Sequence, residues 1–95
     1  MNQELKRLWV QALRSGKYEQ ARSAFCVMSN GNGVSYCALG VLVKEANLAI
    51  TPNTDWCDTV EGLGVSVEDI DTLVELNDTD KKSFSEIADW IEGNL

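Results

Sequence analysis

Ala38-Leu39-Gly40-Val41-Leu42-Val43 decides the fold of this 95-residue chain. Six apolar residues in a row satisfy either a buried strand or a buried helix, and periodicity cannot separate the two. The residues that follow favour a helix. Lys44-Glu45-Ala46-Asn47 looks like the polar end of one, and a helix from about Ala38 to Asn47, buried on most sides, is the expectation.

Upstream of it lies a hairpin signal. Phe25-Cys26-Val27-Met28 and Val34-Ser35-Tyr36-Cys37 flank Ser29-Asn30-Gly31-Asn32-Gly33. Asn and Gly tolerate positive φ, so the run suits a tight turn between antiparallel strands. If Asn30 to Gly33 form the loop, Ser29 pairs with Val34 and Cys26 faces Cys37. Two cysteines so placed would bond under oxidation only in suitable local geometry. Before the hairpin, Leu5, Leu8, Trp9, Ala12 and Leu13 repeat at helical spacing, and Gly16 stops that helix. Lys17 to Ser23 reads as a short helical turn or a loop.

Downstream, Asn47 to Gly64 is punctuated by Pro52, Asn53, Asp55, Asp58, Gly62 and Gly64. It reads as a long loop with a short extended piece near Trp56. Two helices follow, with start signals at Ser66-Val67-Glu68-Asp69 and Ser83-Phe84-Ser85-Glu86. Val67, Ile70, Leu73 and Val74 line one face of the first; Phe84, Ile87, Ala88 and Ile91 line the second. Asn77 to Lys82 is the turn between them. The expected fold is therefore a single α+β domain, predominantly helical: an N-terminal helix, a small hairpin, a buried central helix and two C-terminal helices. Leu5, Leu8, Trp9, Leu39, Leu42, Ile70, Leu73, Phe84, Ile87 and Ile91 are the expected core.

Charge divides the chain unequally. Residues 1–50 carry six Lys or Arg against three Asp or Glu, and residues 51–95 carry two against twelve, for a net charge of −7. Acidic surface repels nucleic acid and anionic lipid and attracts basic partners. Glu68, Asp71, Glu75 and Asp78 recur along the first C-terminal helix; Glu86, Asp89 and Glu92 lie on the second. The helix dipole accounts for the acids in each first turn, but not for Glu75, Asp78, Asp89 and Glu92. These seven residues are the expected partner-binding face. The basic residues Lys6, Arg7, Arg14, Lys17 and Arg22, with Tyr18 and Tyr36 nearby, form an alternative site for a small anion or a nucleotide signal. In a third reading the two charge halves meet across an interface between copies of the chain.

Several chemistries are excluded. There is no histidine, which removes Ser–His and Cys–His nucleophilic arrangements. Three dispersed cysteines without CxxC spacing do not make a zinc site. A calcium loop begun at Asp78 would need glycine at its sixth position, where Ser83 stands. Asp55 and Asp58 flank Trp56 and Cys57, and carboxylates so close make a thiol less nucleophilic. A non-enzymatic protein without metal or cofactor is the expectation. The odd cysteine count, and an N-terminus without a signal-peptide pattern, point to the cytoplasm.

Three pieces together resemble a family of small proteins of tailed phages and prophages. They are Trp9-Val10-Gln11-Ala12-Leu13-Arg14-Ser15-Gly16-Lys17-Tyr18-Glu19-Gln20, Tyr36-Cys37-Ala38-Leu39-Gly40-Val41-Leu42, and Leu76-Asn77-Asp78 with Ser83-Phe84-Ser85-Glu86-Ile87-Ala88-Asp89-Trp90-Ile91-Glu92. The resemblance implies a setting, an infected bacterial cytoplasm, and no catalytic residues. With the acidic half it leads to the expectation of an accessory protein of counter-defence type. Such a protein would inhibit or redirect a host protein with a basic surface, in the manner of a nucleic-acid mimic, with no direct contact to nucleic acid or membrane.

Overall fold

A computed structural model of the chain describes residues 1–22, 26–29, 33–48 and 56–95. Helix α1 spans Gln3–Ser15. Strands β1 (Glu19–Gln20), β2 (Cys26–Ser29) and β3 (Gly33–Tyr36) follow. Then come α2 (Ala38–Glu45), α3 (Trp56–Gly62), α4 (Val67–Val74) and α5 (Phe84–Asn94). A single π-helical turn, Glu75–Thr79, continues α4. The architecture is the α+β, mainly helical one expected.

The decisive run is helical. Ala38 through Val43 are all buried, because α2 packs against α1, α3 and α4. A helix with neighbours on several sides has no polar face to show, which is why periodicity is silent there. Both backbone groups of its first residue are held from outside: the Trp9 indole Nε1 donates to Ala38 O at 2.8 Å, and Ala38 N donates to Asn77 Oδ1 at 3.3 Å.

Helix α1 begins at Asn2, whose side chain accepts from Leu5 N, and ends at Gly16, with φ of 75°. Its buried stripe is Trp9, Val10, Ala12 and Leu13, while Leu5 is half-buried against the core. Leu8 is 37% exposed, so it leaves the expected core and Val10 takes its place. Trp9 drives this rotation of the stripe, since it is wholly buried. The remaining expected core residues, Leu39, Leu42, Ile70, Leu73, Phe84, Ile87 and Ile91, are buried.

The sheet order is β1-β3-β2, with β1 parallel to β3 and β2 antiparallel to it. Strand β1 falls where a helical turn or loop was expected; two residues are too few to show a period of two. The hairpin register is shifted by one from expectation. Ser29 pairs with Gly33, not Val34, and Cys26 faces Tyr36, not Cys37. Gly33 belongs to β3, and Cys37 has left the ladder to cap α2. Residues 30–32, the centre of the expected turn, and Phe25 lie outside the described residues.

The expected loop over 47–64 holds a helix instead. Trp56, Val60 and Leu63 recur at i, i+4 and i+7, and all three contact the core; the glycines at 62 and 64 mask this pattern. Asp55 lies outside the described residues. Gly64 has φ of 99°, and a Cβ there would come within 2.8 Å of Met1 Cα, so both conformation and the close N-terminus require glycine.

Helix α5 carries the expected capping box: Ser83 accepts from Glu86 N, and the Glu86 carboxylate accepts from Ser83 N. Those bonds, backbone first and then the Ser83 hydroxyl, hold the Glu86 carboxyl below its ordinary 4.5. A depressed acid stabilises the fold above its unfolded pKa and loses that effect as pH falls through the folded value. Ser83→Ala removes the N-cap of α5 and should cost about 1 kcal/mol at neutral pH. The gap from wild type should narrow as pH falls from 4.5 through the lower folded value, as urea titrations at several pH values would measure.

Candidate interaction surfaces

The structure separates the acidic residues into compensated and uncompensated groups. On α5, Asp89 and Glu92 both take the Arg14 guanidinium of α1. They lie one turn apart on the side of α5 that meets α1, and a planar guanidinium can serve two carboxylates at once. The bonds to Asp89 and then Glu92 raise the Arg14 pKa above its ordinary value. Glu86 sits 3.7 Å from Lys82.

The expected column on α4 is also shortened. The π-helical turn changes the phase after Glu75. Asp78 becomes half-buried and accepts from Asn77 Nδ2 at 2.6 Å. Glu68, Asp71 and Glu75 remain exposed, as does Glu61 on the adjoining α3, and none of the four makes an ion pair among the described residues. No Lys or Arg lies between Lys44 and Lys81. Val67 is 51% exposed beside Glu68, adding an apolar spot to the acidic face. The seven expected acids thus do not act as one set: two stand open on α4 and Glu75 at the start of the turn that continues it, and the α5 residues face cations of the same chain.

The expected basic set divides too. Lys17 pairs with Glu45 at 3.7 Å and lies 5.2 Å from the centre of the Tyr18 ring. Tyr18 packs edge-on against Tyr36 at 5.5 Å, and burial, then Glu45, raise its pKa. Arg22 donates to the carbonyls of Asn77 and Lys82. Lys6, Arg7 and Arg14 come together along an open groove of about 640 Å³ beside α1, lined also by Val10 and by Glu92 of α5. Arg7 has Glu4 at 3.9 Å, and Lys6 is half-buried without an ion pair among the described residues.

A centre that sequence reading missed is Asn77, 1% exposed. Its Nδ2 donates to Ala21 O at 2.8 Å and to Asp78. Its Oδ1 accepts from Gln20 Nε2 at 2.9 Å and from Ala38 N. The amide thereby ties the π-helical turn to β1 and the residue after it, through Gln20 and Ala21, and to the start of α2 through Ala38. Its residue type and its place at the start of the expected turn, Asn77 to Lys82, carry no local sign of burial. Among the described residues no group of three or more His, Cys, Asp or Glu is arranged to hold a metal ion. No helix among them is long and apolar enough to cross a membrane.

Fold and surfaces together define a small α+β domain with an open acidic helix pair and a basic groove. The chain belongs to the family described as Domain of unknown function (DUF8296), which matches residues 1–62. That match takes in α1, the sheet, α2 and α3; α4 and α5 lie beyond it. No curated protein and no solved structure matches the chain.

Proposed function

We propose that the protein is a non-enzymatic accessory protein of a phage or prophage that binds a basic surface on a host protein and inhibits or redirects it. The contact is made by the α3–α4 face, where Glu61, Glu68, Asp71 and Glu75 are exposed without ion pairs among the described residues. That uncompensated charge is the observation supporting the reading. Carboxylates without internal cations keep their full field for a partner, whereas Asp89 and Glu92 have spent theirs on Arg14. A row of carboxylates about one helical turn apart presents fixed negative charge to lysines and arginines, as a phosphate backbone does. The host cytoplasm as the setting, and a counter-defence role, rest on the phage-family resemblance.

Capture from bacterial lysate tests this. Immobilised protein should retain a basic protein at low salt and release it as salt rises, because exposed charge pairs are screened. The triple variant Glu68→Gln, Asp71→Asn, Glu75→Gln should retain none. A partner held equally by wild type and triple variant would sink the proposal, as would the absence of any basic partner.

A further inference from the structure

The α1 groove has two chemically different ends. At the N-terminal end stand Lys6 and Arg7, next to the positive end of the helix dipole. Lys6 is half-buried there with no ion pair among the described residues. At the other end stands Glu92, bonded to Arg14. A carboxylate offers more acceptor sites than one guanidinium N–H uses, so Glu92 can still accept from a ligand. Val10, 6% exposed, supplies an apolar part of the lining between them. From Lys6 to Arg14 is eight residues, about 12 Å along the helix axis. The volume of about 640 Å³ lies within the range of small-molecule sites.

We infer that this groove binds a nucleotide-sized organic phosphate: the phosphate between Lys6 and Arg7, a flat apolar ring over Val10, and an amino group of that ring donating to Glu92. A bare phosphate would use only one end. A neutral nucleoside would leave Lys6 without a counter-ion. The phosphate must also compete with Glu4 for Arg7, but that pair is exposed and 3.9 Å apart, and exposed pairs of this kind are weak. The site is separate from the α3–α4 face, so the two assignments stand or fall independently.

Thermal unfolding with AMP, UMP, adenosine and inorganic phosphate, each at low salt, tests the inference. A ligand that binds the native state raises Tm. AMP at ten times its Kd should raise it by about 8 °C. UMP, which lacks the amino group, and inorganic phosphate should raise it less, and adenosine should leave it unchanged. Lys6→Gln with Arg7→Gln, both outside the core, should abolish the AMP response, while the α4 triple variant should retain it. Amide chemical shifts give a second readout that needs no variant: AMP should move signals from Gln3 to Arg14. No response to AMP at millimolar concentration overturns the inference, as do equal responses to AMP and inorganic phosphate, or shifts centred away from α1.

Discussion

Asn77→Ala should lower the unfolding free energy by about 3 kcal/mol or more, measured by urea denaturation. The side chain is 1% exposed. Its removal strands Ala21 O, which accepts from Nδ2 at 2.8 Å, and Ala38 N, which donates to Oδ1 at 3.3 Å. Each buried group left without a partner costs about 1–3 kcal/mol. A domain of this size has only about 5–15 kcal/mol in total. Asn77→Asp is the sharper variant because it preserves shape. It keeps the acceptor for Gln20 and Ala38 but turns the donor into an oxygen facing Ala21 O and Asp78. A loss as large as that of the alanine variant is expected. A near-neutral Asn77→Asp would show that the site is filled rather than bonded.

Trp9→Ala should cost about 3–5 kcal/mol in the same measurement, the range for emptying a large buried aromatic site. Trp9 is wholly buried and is the point where α1 meets α2. Trp9→Phe separates its two roles, because it retains most of the ring volume but loses the indole N–H to Ala38 O at 2.8 Å. Its expected cost is about 1–2 kcal/mol. Trp9 and Asn77 grip opposite backbone groups of Ala38. Their variants share that partner and should not be additive, with a coupling of about 0.5 kcal/mol or more.

Those two residues mark how far the fold was legible before the structure. The capped helices were legible because Ser83, Glu86 and the apolar spacing at Phe84, Ile87 and Ile91 are local signals that agree with one another. The central helix was legible from its polar end at Lys44 and Glu45, not from its apolar run. Strand β1 was hidden because its support among the described residues is a distant parallel neighbour, β3. Helix α3 was hidden because Gly62 and Gly64 dominate the local signal, although Trp56 and Val60 already stood one turn apart. The hairpin slipped by one residue because whether Gly33 ends the loop or starts the strand depends on pairing across the sheet, not on Gly33 itself.

The candidate surfaces were legible as residue types but not as groups. Spacing along one helix places Asp89 and Glu92 together, yet nothing local reveals that Arg14, 75 residues away from Asp89, turns toward them. The π-helical turn likewise breaks the Glu68–Asp78 column, because a phase change inside a helix leaves no mark in hydrophobic spacing. Three-dimensional pairing therefore moves the expected contact from both C-terminal helices to α3 and α4.

The affinity of the captured basic partner for two variants tests that shift most directly. The α4 triple variant, Glu68→Gln, Asp71→Asn, Glu75→Gln, should bind at least about ten-fold more weakly than wild type, with a flatter salt dependence. The α5 pair, Asp89→Asn with Glu92→Gln, should bind within about two-fold of wild type, since those carboxylates face Arg14. Wild-type affinity in the α4 variant, with the loss appearing instead in the α5 pair, would contradict the account.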